Sequence, residues 1–128
     1  MTMKQTQQLI EGACSKAAES GINISVAVID TDGLLSGFLR MDGALKGSVD
    51  VAVAKARTAF LFPMPTKDFG DLCRNEKLDG MLETNGGMVG FAGGFPVPGG
   101  GAIGISGGSA AQDAEVAQAA IATLMLES

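Results

Sequence analysis

Gly104-Ile105-Ser106-Gly107-Gly108 fits the G-x-S-x-G spacing that can present a nucleophile at a sharp turn between a strand and a helix. Such a serine needs a general base, and the chain contains no histidine. Activation by a lysine stays formally open. Binding is the simpler chemistry for this corner, because glycines let a ligand approach the backbone and the first N–H groups of a helix have no intrahelical acceptor. Ser109 and Gln112 have capping-box spacing and are expected to close the start of the last helix. Gln112 and Asp113 could instead face a pocket, although Asp113 also suits the positive end of that helix.

Arg40 can offer a two-pronged contact to a carboxylate or phosphate, or it can simply pair with Asp42. Lys55 and Arg57 lie two apart on an expected helix, so they cannot point the same way, and each is read as a solvated or interface residue. Asp30 and Asp32 flank a turn, where acids serve the backbone. Gly99-Gly100-Gly101-Ala102-Ile103-Gly104 matches G-x-G-x-x-G, but these glycines precede an apparent strand rather than follow one, and they read as a hairpin connection. The catalytic residues are left unassigned. The ligand-binding candidates are Arg40, Asp42, Ser106, Gly107, Gly108, Ser109, Gln112 and Asp113.

Several elements must position these residues. Leu9, Ala13 and Ala17 recur at helical spacing, which predicts a helix over 6–20 ended by Gly21. Alternation through Ile22, Ile24, Val26 and Val28, with Ala27 and Ile29 between them, predicts a central strand covered on both faces. Thr31-Asp32-Gly33 turns the chain into a second strand over 34–41, which Gly37 weakens or bulges. Val49, Val53, Ala56 and Phe60 then mark a helix capped by Ser48 and stopped by Pro63. Thr66 is a plausible cap for a short helix ending at Arg74, and 75–87 reads as loop with one helical turn. Eleven glycines fall within 86–108 among apolar residues, which suggests about three short strands joined by tight turns. Ala114, Ala117, Ile121 and Leu124 are expected to form the buried face of the last helix.

The chain's 128 residues, with nine basic and fourteen acidic side chains, carry a formal charge of -5. The scattered cations argue against a nucleic-acid partner. Two cysteines make neither a disulfide framework nor a metal motif, no run is long enough to cross a membrane, and no segment resembles a signal peptide. These features point to one domain over 1–128, located in the cytoplasm, with no metal, no nucleic acid and no membrane among its partners.

Taken together, Ala27-Val28-Ile29-Asp30-Thr31-Asp32-Gly33, Arg40-Met41-Asp42-Gly43-Ala44, Lys55-Ala56-Arg57-Thr58-Ala59, Pro65-Thr66 and the Gly104 to Gly108 run with Gln112-Asp113 resemble the GlcG/HbpS-like family. The resemblance also takes in the carboxy-terminal domain of PduO-type proteins. It implies a profilin-like α/β (α+β) architecture, with a mostly antiparallel sheet of about five strands flanked by helices. It also implies a homo-oligomer, and it points to Arg40, Asp42, Ser106, Gly107, Gly108, Gln112 and Asp113 as family residues. Some relatives bind haem, whereas the histidines that could ligate it are absent here. The expected function is a small-molecule-binding accessory protein for an anionic metabolite of a catabolic pathway. The alternatives are an enzyme acting on a small carboxylated metabolite by acid/base chemistry, or haem or tetrapyrrole binding through methionine or cysteine.

Overall fold

The computed structural model describes residues 1–126. Helix α1 (Met3–Glu19) starts at a capping box in which the Thr2 side chain accepts from Gln5 N–H and Gln5 reaches back to the Thr2 N–H. Strands β1 (Ser25–Ile29) and β2 (Leu35–Arg40) form the expected hairpin. Asp30 Oδ1 accepts from the N–H groups of Asp32 and Leu34, so this acid holds the turn. The pairing is irregular between Val28 and Ile29, opposite Gly37. At Gly37 a Cβ would lie 2.5 Å from a Thr6 methyl, so glycine lets α1 rest on the strand.

Helix α2 (Ser48–Leu61) begins one residue earlier than a Ser48 cap requires. Gly47 is the N-cap, and the Ser48 hydroxyl donates to the Leu45 carbonyl instead. Helix α3 (Thr66–Asn75) likewise starts on Thr66 rather than after it, and the Thr66 hydroxyl donates to the Phe91 carbonyl. A 3-10 turn at Met81–Glu83 supplies the single helical turn expected in that loop.

Strands β3 (Gly94–Pro96) and β4 (Ala102–Ser106) complete a four-stranded antiparallel sheet in the order β2-β1-β4-β3. This is an α+β fold with one strand fewer than about five. The difference lies at 88–92, where the backbone is claimed by other partners: Val89 N–H donates to the Thr58 hydroxyl, and Gly90 packs directly on Gly70 of α3. The triple glycine forms the expected hairpin connection, with φ of 94°, 121° and 86° at Gly99, Gly100 and Gly101.

Helix α4 (Ala110–Met125) follows β4. Its buried residues are Asp113, Val116, Ala117 and Ala120, a face rotated from the expected one. Ala114, Ile121 and Leu124 are only half-buried. The main core lies between one face of the sheet and the pair α1 and α4, around Leu9, Val26, Val28, Ile103, Ile105 and Val116. On the other face Ala27 and Ile29 pack against Ala52 and Ala56 of α2. Among the described residues, no helix is long and apolar enough to cross a membrane.

Candidate functional site

The corner between β4 and α4 is closed largely by the chain's own side chains. Ser109 accepts from Gln112 N–H at 3.2 Å, and Gln112 Oε1 accepts from Ser109 N–H at 2.9 Å, which completes the expected capping box. Asp113 does more than complement the helix end. Its Oδ1 accepts from Gly108 N–H at 2.9 Å, and its Oδ2 lies 3.1 Å from the Lys55 ammonium.

Lys55 corrects the expectation of a solvated or interface side chain, for it is 1% exposed. Its ammonium donates to the Ile105 carbonyl at 2.8 Å and to Asp113, and the Phe91 ring centroid is 4.9 Å away. Burial pulls its pKa below the ordinary lysine value, against the charge and hydrogen bond of Asp113, which push it back up. Lys55 thereby ties α2, β4 and α4 together, with two of its three N–H donors in hydrogen bonds and its charge beside the Phe91 ring. Its position was readable in part: it falls in the small-residue stripe of Ser48, Ala52, Ala56 and Ala59 that α2 buries. Arg57, two residues on, points elsewhere and donates to the Asn85 carbonyl.

Ser106 differs from its neighbours. In the sheet register Arg40, Ser25 and Ser106 form one row across β2, β1 and β4. Directly paired residues share a face. Ser25 faces α2, because its hydroxyl lies 2.8 Å from that of Ser48, so Arg40 and Ser106 also face the α2 side. Ser106, Gly107 and Gly108 meet Leu45, Gly47, Ser48 and Val51 around an open depression of about 330 Å³. Ser106 is only 9% exposed, and among the described residues its hydroxyl makes no hydrogen bond. Since no buried polar side-chain atom among the described residues lacks a partner, that hydroxyl opens onto the depression. The start of α2, which has no side-chain cap, borders it as well.

The other candidates lie outside this hollow. Arg40 is exposed and donates to the Ala44 carbonyl at 3.1 Å rather than to Asp42, and Asp42 is exposed in the turn after β2. Ser109, Gln112 and Asp113 serve the cap and the ion pair. Larger hollows of about 420 Å³ beside α3 and about 490 Å³ between α1 and α4 contain no buried hydroxyl, amine or carboxyl. Among the described residues, no group of three or more histidine, cysteine, aspartate or glutamate side chains is placed to hold a metal ion.

Comparison with known proteins agrees with this architecture. Residues 1–122 match the family described as haem degrading protein HbpS-like. The chain is 31% identical over 130 residues to the corrinoid adenosyltransferase PduO of Salmonella typhimurium, covering 97% of this chain but 39% of that protein. It thus spans about two fifths of the length of that relative. The crystal structure of Klebsiella pneumoniae protein ORFY superposes with a TM-score of 0.92 at 30% identity, covering 98% of this chain and 90% of that one. A crystal structure of a PduOC:haem complex superposes with a TM-score of 0.89 at 32% identity, covering 96% and 94%. The GlcG/HbpS resemblance of the motifs, the sheet order and these matches agree: the chain belongs to the HbpS-like family.

Proposed function

We propose that this protein binds a small anionic metabolite of a catabolic pathway, as an accessory protein, in the depression between the 106–108 corner and the start of α2. The observation that carries this reading is the unpartnered hydroxyl of Ser106, a residue nine-tenths buried at the edge of that hollow. The start of α2 adds the positive end of the helix dipole at the same place, although its Ser48 and Val49 N–H groups already donate to the Leu45 and Lys46 carbonyls. Arg40 stands in the same row two strands away, at about 10 Å by strand spacing, and is a positive charge on that face not neutralised by a buried acid, unlike the nearer Lys55 that pairs with Asp113. No general base touches Ser106, so binding is favoured over acid/base turnover. A homo-oligomer in the cytoplasm is the assembly and location that go with this reading.

Gly47 offers a direct test, because its φ is -65° and a Cβ there meets nothing within 4 Å. Gly47→Leu should therefore fold while filling the depression. In calorimetry with a panel of short-chain carboxylates, the best binder should weaken at least tenfold in Gly47→Leu and several-fold in Arg40→Ala. Unchanged affinity in both folded variants would remove the site.

A second reading, haem binding, is favoured by the similarity to the PduOC:haem complex. The residues present do not fit a haem ligated by histidine, since the chain has none. The Met41 sulfur already accepts from Ile24 N–H, and burial raises the Cys14 pKa, which disfavours its thiolate. Titration of tag-free protein with haemin should give no ligand-specific absorption change. A defined methionine or thiolate spectrum would establish the haem reading instead.

A further inference from the structure

We propose that Asn85 is a site of self-modification, at which Arg57 promotes loss of the side-chain amide and an isoaspartate remains. The chemistry needs an asparagine whose following backbone nitrogen can reach its own Cγ and close a five-membered ring. Of the chain's three asparagines, Asn23 is followed by Ile24 and Asn75 by Glu76, whose side chains hinder that approach. Asn85 is followed by Gly86 and Gly87.

The turn leaves the reacting groups open. Asn85 and Gly86 are exposed, and among the described residues the Gly86 N–H donates to no acceptor. The φ angles of Asn85, Gly86 and Gly87 are 55°, 76° and 100°, a turn that relies on glycine freedom. Arg57 reaches this turn from α2, and its guanidinium donates to the Asn85 carbonyl at 3.1 Å. That carbonyl belongs to the same peptide unit as the Gly86 N–H. A cation bonded to the oxygen draws electrons out of the unit and stabilises the anion left when the N–H gives up its proton, so Arg57 favours the attacking form.

The Gly86 N–H first loses its proton to solvent base, and the nitrogen then bonds to Asn85 Cγ. The Cγ–Nδ2 bond breaks, and the leaving nitrogen takes up a proton and departs as ammonia, so that a succinimide ring remains. Water adds to one of the two ring carbonyl carbons and breaks its bond to the Gly86 nitrogen, giving a carboxylate. No oxidant or further reactant enters. Opening at Cγ gives aspartate, which the turn resists. Asn85 Nδ2 donates to the Thr84 hydroxyl at 3.1 Å, and that hydroxyl already donates its own proton to the Met81 carbonyl, so a carboxylate in the same place would face a lone pair. Opening at the backbone carbonyl carbon gives isoaspartate. The oxygen held by Arg57 then becomes part of a carboxylate, and a neutral acceptor turns into an ion-pair partner.

The test incubates the full chain at mildly alkaline pH, separates acidic product by ion exchange and locates it by mass spectrometry. Wild type, Asn85→Gln and Arg57→Met are compared folded and in urea. Folded wild type should accumulate an acidic form modified at residue 85, with a larger isoaspartate share than the urea sample. Folded Arg57→Met should react slower by about threefold or more, the effect of half a pKa unit on the population of the anionic nitrogen, and in urea it should match wild type. A merely structural role for Arg57 predicts the opposite sign, since a loosened turn closes the ring more easily. Equal or faster reaction of folded Arg57→Met would overturn the inference. So would a folded wild type that stays intact while the urea sample reacts, or an acidic form that builds at the wild-type rate in Asn85→Gln. An isoaspartate share no larger than in urea would overturn the product assignment. If Arg57→Met fails to fold, folded wild type must react at least as fast as the chain in urea.

Discussion

Asp113→Asn should lower the melting temperature by about 10–20 °C at pH 7, the largest effect expected of any isosteric change in this chain. Breaking a buried ion pair by removing one charge costs about 3–5 kcal/mol, and each kcal/mol shifts the midpoint by about 4 °C for a chain of this size. Asparagine keeps the oxygen that accepts from Gly108 N–H, so the corner loses charge but not its tether. Lys55 is left as a lone buried ammonium. Burial already holds its pKa below the ordinary value, and losing Asp113 removes the groups that push it back up. A lysine with a depressed folded pKa is least stable below that value, where the folded state must hold a buried charge. Stability then returns as pH rises through the depressed value towards the unfolded one near ~10.4. Circular dichroism melts of wild type and variant from pH 6 to 10 should therefore converge at the alkaline end. A gap of constant size would show that the loss comes from packing and not from charge.

Gly104→Ala should be nearly as damaging, for a different reason. Gly104 sits in β4 between Ala27 of β1 and Gly94 of β3, under helix α2. A Cβ there would run into the Ala52 carbonyl oxygen and come within 2.6 Å of the Ala56 amide nitrogen. Both obstacles are backbone of one helix, so neither can rotate away, and the whole helix has to lift. Overpacking of this kind costs about 1–3 kcal/mol and sometimes more. The rigid wall puts this case at or beyond the upper end, which corresponds to about 12 °C. Lifting α2 would also draw Lys55 away from Asp113, so the two substitutions should combine non-additively. A wild-type melting temperature in Gly104→Ala would mean that α2 does not pack on β4 as described.

Local signals made much of the fold legible. Apolar residues on both faces of β1 marked a central strand, Thr31-Asp32-Gly33 marked a hairpin, and Ser109 with Gln112 marked the start of α4. The same signal stood at Thr2 and Gln5, yet apolar spacing alone placed the start of α1 three residues too late. The serine and threonine at the starts of α2 and α3 looked like caps but are first helical residues, with hydroxyls drawn to Leu45 and Phe91 by tertiary packing. Lys55 shows where local reading stops. Its partner lies 58 residues away, and a lysine is assumed solvated until an acid is shown to be buried with it. For the site, the serine and glycines of the corner were visible in sequence. Their meeting with α2 was not, because it depends on sheet register and on which face Ser25 takes.

The two edges of the sheet are not alike. At β3 the outward N–H of Gly94 is taken by the Thr66 hydroxyl, and Pro96 has no N–H to offer. At β2 no further strand follows, and Leu35 and Leu39 are exposed at 52% and 39%. A ribbon with one sealed margin and one open margin has only one place to accept a neighbour. Two such chains joined margin to margin about a twofold axis expose only sealed sides, so growth by strand addition ends at a pair and cannot run on into a filament.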